Sequence, residues 1–528
     1  MAEGQSTLFD FVVFDREAKL ENLNGFVSHP LLEKNSVEYR DFQVELARIA
    51  AGNNLLVVVP TGLGKTLVAL IAAAEMMKAT GKKVLFLAPT RPLVMQHLET
   101  FRKHFLIKSL ALFTGSTPAA ERKRLWFSNK VIFATPQVIG NDIAAGNYNL
   151  DDVAFCIFDE AHRAVGNYSY VEVAGKCRDA GVRILGLTAS PGSKKAKIED
   201  ILNALNIEKV EIRNREDVDV NAYVREVDET VFRVDLDDEM KQLLKPIDDL
   251  LHEKITKLQR MGFLRYKKAE FVSRKDLLSV RAGIMARGKR GGYLFGAMHN
   301  SIVAIHAYHC SELLETQGIG PLRLYLERMK SSEKLSKVEK SFLNDERIKK
   351  VLELLSASKS TSHPKVEKLL EIVSSQIEKK ADSLIMVFTQ YRDTIEVITS
   401  ALSSRGISHG RFIGQADRGK EKGMSQKEQK KTVQMFSSRR FNVLVASSIG
   451  EEGIDIPDVE LVVFYEPVPS EIRYIQRKGR TGRSSVGNVA ILLANGTRDE
   501  AYLRASSKRE KKMNRIVKSM REQEGEAG

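Results

Sequence analysis

Residues 55–66 read LLVVVPTGLGKT, a short aliphatic run followed by a glycine-containing turn that ends in Lys65 and Thr66. The residues that follow, LVALIAAAEMM, are typical of a helix. A strand, a tight glycine turn and a helix N-terminus place backbone N–H groups and the positive end of a helix dipole around a phosphate. The sequence therefore predicts an α/β domain that binds a nucleoside triphosphate at this turn.

Each residue of this phosphate loop has an expected role. Lys65 would neutralise the β and γ phosphates, and the Thr66 hydroxyl would bind a magnesium ion. The strict phosphate-loop pattern has glycine where this chain has Val59, so the loop departs from it there. The other loop residues expected to contact the nucleotide are Thr61, Gly62 and Gly64.

Two acidic residues follow the apolar run VAFCIF, in the segment DEAH. At the carboxyl end of a buried strand, Asp159 can hold magnesium through water, and Glu160 can orient or deprotonate an attacking water. His162 is expected to link the nucleotide state to neighbouring segments. Thr188 and Ser190, at the end of the run ILGLT, are expected to share that coupling role.

Two further segments are expected to contact the nucleotide. Arg40 and Gln43 precede the first strand, and a glutamine amide can donate to and accept from the adenine edge, which predicts ATP over GTP. In the second half of the chain, GEEGIDIP follows the apolar run VLVA. There Gly453 would allow close approach of the backbone, and Asp455 would bind a ribose hydroxyl.

A basic segment near the end of the chain, IQRKGRTGR, complements this site. Arg480 and Arg483 are spaced to project from one short helical turn across a cleft, where guanidinium groups stabilise charge on a transferring phosphoryl group. Gln476 is positioned to help order the attacking water. These three residues are therefore candidate catalytic groups alongside Lys65 and the acidic pair.

The apolar pattern divides the chain. Short apolar runs recur between Leu55 and Thr188 and again after Ser383, separated by helix-length segments, which is the pattern of doubly wound parallel sheets. Between residues 226 and 356 the strand pattern stops, and apolar residues at three- and four-residue spacing indicate helices. We predict an α/β protein with two parallel-sheet domains and an all-helical insert domain, divided as 1–225, 226–356, 357–505 and a charged C-terminal tail at 506–528.

Composition narrows the class of protein. Lys and Arg number 82 against 68 Asp and Glu, and the net charge of +14 favours a polyanionic partner. No apolar run approaches the roughly 20 residues that span a bilayer, and the N-terminus lacks the basic region of a secretory signal. Three scattered cysteines exclude a disulfide framework. We expect a cytoplasmic protein.

The ordered segments PTGLGKT, APTRPLVMQ, ATPQ, DEAH, TASPG, EEGIDIP and QRKGRTGR resemble the motif set of superfamily 2 helicases. FIGQA, GMSQKEQKKTVQMF and VVFYEPVPSEIRYIQRKGRTGR are similar to the archaeal Hef helicase and its relatives, the Fanconi anaemia M-type translocases. The resemblance spans residues 35–495 and implies two RecA-like domains, the cofactors ATP and Mg2+, and 3′-to-5′ action on forked DNA or Holliday junctions in repair and replication restart. The chain carries no nuclease signature, so we expect the helicase portion alone, acting as a monomer near the nucleoid.

The same resemblance implies the residues that contact a nucleic-acid strand. Most are small or polar and suited to phosphate oxygens, which predicts binding without sequence preference. The basic insert is expected to grip the duplex arm of a fork. The predicted contacts are Thr90, Arg91, Thr114, Gly115, Thr135 and Pro136 in the first sheet domain, Arg260, Arg265, Lys267 and Lys268 in the insert, and Thr389, Arg392, Gln415 and Ser447 in the second sheet domain.

Two other interpretations remain open at this point. Helicases similar to Dicer and to innate RNA sensors also carry a helical insert, so the chain is alternatively an ATPase activated by double-stranded RNA. From a different class, it is alternatively an inactive scaffold that binds branched DNA. The segments GRTGR and VPSEIRYIQ favour the DNA branch, and intact Lys65, Asp159 and Glu160 favour an enzyme.

Overall fold

The computed structural model describes residues 20–215, 217–223, 227–265, 268–287, 291–358, 363–415, 423–447, 457–467 and 487–525. Within these residues the chain forms two large parallel sheets and a helical domain that lies between them in sequence. This confirms the predicted fold class. No helix in the described part of the chain combines the length and the apolarity needed to cross a membrane.

The first domain is built on a seven-stranded sheet. Its strands are β3 (Leu55–Val58), β4 (Lys83–Leu87), β5 (Leu110–Phe113), β6 (Val131–Ala134), β7 (Val153–Asp159), β8 (Arg183–Thr188) and β9 (Lys209–Ile212). All pair in parallel in the order β5-β6-β4-β7-β8-β3-β9. Strands β3, β4, β6 and β7 are buried along their whole length, as continuous aliphatic runs predict.

Helices cover both faces of this sheet, and a small antiparallel ribbon precedes it. The two apolar clusters on opposite faces separate alternate strand residues, such as Leu55 and Leu56. The ribbon strands are β1 (Glu21–Leu23) and β2 (Phe26–Ser28), and the helices are α1 (Asp41–Gly52), α2 (Lys65–Thr80), α3 (Arg91–His104), α4 (Ala119–Ser128), α5 (Pro136–Ala144), α6 (Ser169–Asp179), α7 (Lys195–Ala204) and α8 (Val218–Asn221).

The second sheet has six strands. They are β10 (Val227–Val234), β11 (Ile385–Phe388), β12 (His409–Phe412), β13 (Val443–Ala446), β14 (Leu461–Phe464) and β15 (Gly487–Ala494), in the order β10-β15-β14-β11-β13-β12. Its described helices are α15 (Pro364–Lys379), α16 (Arg392–Ser404) and α17 (Gln426–Ser437).

Strand β10 corrects the sequence analysis, which expected no strand between residues 226 and 356. Its eight residues pair in parallel with β15 at the edge of the second sheet. The sequence VDETVFRV mixes charged with apolar residues, because an edge strand exposes one face to solvent. A search for continuous aliphatic runs misses such a strand.

The helical domain follows β10 and has its own core. Its long helices are α9 and α11, which pack together, and the apolar stripe predicted from Met240 to Leu258 is buried in the cluster between the helices. The helices are α9 (Asp238–Arg260), α10 (Arg274–Ala286), α11 (Gly292–Gln317), α12 (Ile319–Lys330), α13 (Lys337–Leu343) and α14 (Glu346–Ala357).

The residues predicted as a charged tail belong to a C-terminal helix, Arg498–Gly525, that contacts all three domains. At its start, Arg498 Nη1 donates to Ser311 Oγ of the helical domain at 2.8 Å, and Asp499 pairs with Lys365 of the second sheet domain. Further along, Met513 is buried in a core cluster of the first domain. The helix therefore ties the three domains together rather than forming a separate tail.

Candidate nucleotide and nucleic-acid site

The phosphate loop joins β3 to α2 in the conformation that the sequence predicts. Gly64 caps α2 with φ 79°, and a Cβ atom there would lie 2.4 Å from Gln43 Nε2, so only glycine fits. Lys65 begins the helix, and its Nζ donates to the carbonyl of Val59 at 3.0 Å. The lysine ammonium is therefore held against the loop that would cradle phosphates. Gly62 also has a positive φ, of 89°.

The acidic pair lies at the carboxyl end of β7, between β4 and β8. Asp159 is the last residue of the strand and is buried, and its carbonyl accepts from the Tyr170 hydroxyl at 2.6 Å. Glu160 follows in the left-handed region, with φ 51°. Such a backbone conformation is costly for a residue with a side chain and clusters at functional sites.

One histidine joins the two predicted magnesium ligands. His97 Nδ1 lies 3.3 Å from Thr66 Oγ1, and its Nε2 lies 2.7 Å from Asp159 Oδ2. A hydroxyl and a carboxylate are the hard oxygen ligands that Mg2+ takes, so the two side chains fit such an ion. His97 was not among the predicted residues. Its signal is a polar residue on the buried face of α3, which otherwise presents Val94, Leu98 and Phe101.

Glu160 is kept in its ionised form by its neighbours. Burial alone would raise its pKa, but the contact with His162 Nδ1 at 3.2 Å and the positive charges of Lys65 and Arg163 lower the pKa to about 2. A carboxylate that remains ionised at neutral pH can accept a hydrogen bond from water beside the γ phosphate. This is the state that the predicted role requires.

The predicted coupling residues form a continuous chain of contacts. His162 Nδ1 lies 3.1 Å from Thr188 Oγ1, and Thr188 Oγ1 donates to the Ser190 carbonyl at 2.9 Å. The Thr188 carbonyl accepts from the Val59 N–H at 3.0 Å, which ties this segment to the phosphate loop. Ser190 Oγ donates to Met513 Sδ of the C-terminal helix at 2.7 Å. The structure thus connects the acidic motif to an element outside the first domain.

The two candidate adenine contacts differ in their surroundings. Gln43 is fully buried and its Nε2 donates to the Leu63 carbonyl at 2.9 Å, whereas its Oε1 has no hydrogen-bond partner among the described residues. Arg40 bonds to Glu38 and lies over the Tyr223 ring at 5.0 Å. The adenine role of both residues stays a prediction, and the unpaired Gln43 acceptor is consistent with it.

The predicted strand contacts of the first domain share one edge of the sheet with the nucleotide residues. Thr114, Thr135 and Thr90 follow β5, β6 and β4, which are neighbours, whereas the acidic pair, the coupling segment and the phosphate loop follow β7, β8 and β3. Arg91 and Gly115 are exposed beside them, and Pro136 begins α5. The carboxyl edge of the sheet is therefore divided between a polar half and a phosphate-binding half.

The second sheet repeats the first half of this arrangement. Thr389, Ser447 and Gln415 follow β11, β13 and β12, again three neighbouring strands. Thr389 Oγ1 donates to Glu466 Oε2 at 3.2 Å, and Arg392 Nη2 donates to the Gly414 carbonyl at 3.1 Å. The remaining predictions for this domain lie outside the described residues: Gly453, Asp455, Gln476, Arg480 and Arg483.

The basic residues predicted in the insert are at its surface. Arg260, at the end of α9, is exposed, as are Arg265 and Lys268 in the following loop. Lys267 lies outside the described residues. Arg260 and Arg265 have no ion-pair partner in the part of the chain that the structure describes, so their charges are available to a polyanion.

Replacing His97 with Ala should weaken Mg2+-dependent nucleotide binding by about 10- to 100-fold, the usual cost of removing a residue that orients metal ligands. The reason is that Asp159 would keep a buried carboxylate oxygen without its 2.7 Å partner. Fluorescent-nucleotide titrations across a range of Mg2+ concentrations would measure this. His104→Ala on the same helix is the matched control, and an unchanged Mg2+ dependence in His97→Ala would contradict the assignment.

A phosphate loop and an acidic motif on one parallel sheet, a second parallel sheet and a helical domain between them define a two-domain helicase motor. Three family models match: "DEAD/DEAH box helicase" over residues 40–198, "Putative ATP-dependent RNA helicase, helical bundle" over 238–362 and "Helicase conserved C-terminal domain" over 364–485. The crystal structure of the Pyrococcus furiosus Hef helicase domain is 42% identical, with a TM-score of 0.69, and the match covers 90% of this chain and 100% of that one. The chain belongs to the Hef family of superfamily 2 ATP-dependent helicases, which confirms the predicted family and enzyme class.

Curated relatives are longer than this chain. A putative ATP-dependent RNA helicase of Methanocaldococcus jannaschii is 40% identical over 94% of this chain and 63% of its own length. The ATP-dependent DNA helicase mph1 of Neurospora crassa is 33% identical over 88% of this chain and 41% of its own length. The chain therefore spans about two fifths to three fifths of these relatives, and it shares with them the whole two-sheet region.

Proposed function

We propose that the protein is an ATP-driven DNA translocase that acts 3′-to-5′ on forked or branched DNA, such as replication forks and Holliday junctions. The observation that carries this proposal is the divided carboxyl edge of the first sheet, which sets strand contacts next to the ATP site. A nucleic-acid strand bound after β5, β6 and β4 lies one strand away from the acidic motif on β7. Movement at the nucleotide can therefore reach the strand directly.

The hydrolytic step is assigned to residues of both domains. Lys65 binds the β and γ phosphates, and Glu160 orients the attacking water and accepts its proton. Thr66 and Asp159 would hold Mg2+, which supplies charge neutralisation between the phosphates. Arg480 and Arg483 reach across from the second domain to stabilise the transferring phosphoryl group, with Gln476 beside the water.

Translocation follows from closure of the two sheet domains around ATP and its reversal after hydrolysis. Thr90 and Thr135 on one side, and Thr389 and Ser447 on the other, would hold the strand through phosphate oxygens, so the grip is independent of sequence. The contacts from His162 through Thr188 to the phosphate loop make the state of the nucleotide felt at the domain boundary.

Selection of a branch is assigned to the helical domain. Two sheet domains suffice to step along one strand, whereas recognising a fork needs a further surface against the adjoining duplex. The exposed Arg260, Arg265 and Lys268 provide it through phosphate contacts. DNA is preferred to RNA because mph1 bears the name of a DNA helicase. The name of the Methanocaldococcus relative keeps RNA as the competitor in the test.

Neutralising the basic insert should weaken fork binding and flatten its salt dependence. Each lost phosphate contact should reduce the slope of log K against log salt by about 0.9. The variant changes Arg260, Arg265, Lys267, Lys268, Arg274 and Lys275 to Gln, and fork binding is titrated between low and moderate salt. ATPase stimulation by single strands should persist.

The matched control replaces four exposed lysines of the same domain, on and between α12 and α13, with Gln: Lys330, Lys334, Lys337 and Lys340. An unchanged fork affinity and salt slope in the basic-insert variant would show that the insert is a spacer. Stronger stimulation of the wild type by duplex RNA than by forked DNA would assign the motor to RNA. Absence of any nucleic-acid-stimulated phosphate release would leave only a binding scaffold.

A further inference from the structure

Exposed apolar side chains are concentrated at one place on the helical domain. Of the eleven large hydrophobic residues that stand exposed in the described chain, five fall between residues 271 and 295. They include Phe271 at 67%, Tyr293 at 59% and Phe295 at 61% exposure. Exposed aromatic rings in such a group mark a contact surface more often than chance placement.

Two of these rings belong to a built corner where α9 ends, α10 ends and α11 begins. The Tyr293 hydroxyl donates to the Met261 carbonyl at 2.6 Å, and the Tyr293 ring centroid lies 5.7 Å from that of Phe263. The hydroxyl therefore has its partner within the protein, and the ring is held in a fixed orientation with most of its area open to solvent. A ring fixed in this way loses little entropy when a flat ligand stacks on it.

Arginines alternate with these rings. Arg287, the C-cap of α10, lies over the Phe263 ring with its Cζ 5.3 Å from the centroid, and it is exposed. Arg260 and Arg265, also exposed, border the same corner from the end of α9. Among the described residues, none of the three arginines has an ion-pair partner.

This mixture of chemistry selects the ligand. A protein-binding patch is depleted of charge at its centre, whereas here cationic groups stand directly beside the rings. Aromatic faces next to arginines are the combination that holds unpaired nucleobases, since every base has a π-face and each base carries a phosphate. Bases inside a continuous duplex are already stacked on one another, so only a site where strands separate offers them.

We propose that Tyr293 and Phe295, with Arg287 beside them, form a stacking surface for the first unpaired bases at a DNA branch point. The inference rests on the proposed function, because it gives the helical domain a second means of recognising a fork in addition to its phosphate contacts. Phosphate contacts bind any duplex arm, whereas stacking adds affinity only where a base is unpaired. Preference for a fork over a plain duplex then follows from these two residues.

The test uses the full chain with a fork that carries 2-aminopurine at the first unpaired position. Wild-type protein should change the fluorescence of this base, and the paired variant Tyr293→Ala/Phe295→Ala should not. Fork affinity should fall by about 5- to 150-fold per base lost from stacking, with the affinity for blunt duplex unchanged. The salt slope should stay at the wild-type value, since no phosphate contact is removed.

Two controls keep the outcome readable. Tyr293→Trp retains a stacking ring and should retain the fluorescence change and the fork preference. Phe127→Ala removes an aromatic of similar exposure, 66%, from the first domain and should change nothing. Thermal unfolding of each variant checks that the fold is kept.

The failures of the two proposals are distinguishable. If the double alanine variant folds and binds forks like the wild type while the basic-insert variant loses its salt slope, the stacking inference falls and the proposed function stands. If both variants bind forks as the wild type does, the helical domain does not recognise forks at all. Loss of a protein contact with DNA binding unchanged would likewise overturn the stacking inference.

Discussion

Replacing Glu160 with Gln is expected to slow ATP hydrolysis by about 10²- to 10⁴-fold while ATP binding stays nearly unchanged. The substitution keeps the size of the side chain and leaves Lys65, Thr66 and Asp159 in place. What it removes is an ionised carboxylate, held in that state by His162 and by the charges of Lys65 and Arg163. An amide oxygen orients water poorly and cannot take its proton.

Single-turnover hydrolysis and fluorescent-nucleotide binding would separate these two effects. Glu199→Gln on the exposed face of α7 is the matched control and should behave as the wild type. Because the folded-state pKa of Glu160 is lowered, the carboxylate is ionised at every pH above that value, and its protonation limb should lie below the usual range for a glutamate. Turnover at the wild-type rate in Glu160→Gln would remove the residue from the mechanism.

Local sequence predicts those parts of the fold and site that depend on a few consecutive residues. The phosphate loop needs a strand, a glycine turn and a helix start, all within residues 55–66. The acidic motif needs only to follow a buried strand. The parallel topology then places both at one edge, so their proximity follows from strand rhythm alone.

Other features depend on partners far away in the chain, and local patterns do not reveal them. Strand β10 exists because β15, more than 250 residues later, pairs with it. His97 acquires its role only when α3 packs beside β7, and in sequence it is one polar residue in a helix. The arginine pair Arg480 and Arg483 remains a prediction from its motif.

Contacts between the helical domain and the second sheet domain were equally hidden. Glu312 of α11 accepts from the Tyr502 hydroxyl at 2.5 Å and from the Tyr391 hydroxyl at 3.3 Å, and Glu315 pairs with Arg498. Gln317 accepts from Thr394 Oγ1 at 2.6 Å. Buried polar contacts of this kind fix one relative placement, so the helical domain moves with the second sheet domain. A fork contact made by the insert is thereby carried along when the sheets close.

At the centre of this junction Lys365 and Asp499 form an ion pair whose two side chains have no exposed area. Asp499→Ala should destabilise this part of the protein by about 3–5 kcal/mol, because it leaves the Lys365 ammonium buried without its counter-charge. The loss would appear as a lower urea midpoint and as faster hydrogen exchange in α15, which carries Lys365. Amides of the first sheet should exchange as in the wild type.

The companion variant decides whether the charge or the contact matters. Lys365→Met/Asp499→Leu removes both charges and fills similar volume, and such replacements of buried ion pairs are often neutral or stabilising by about 1–4 kcal/mol. We expect the double variant to recover the stability that Asp499→Ala loses. If instead the double variant is as unstable as the single one, packing rather than an uncompensated charge sets the cost. If Asp499→Ala itself unfolds at the wild-type urea concentration, the pair contributes nothing to joining the domains, and the insert must be held to the second sheet by Glu312, Glu315 and their partners alone.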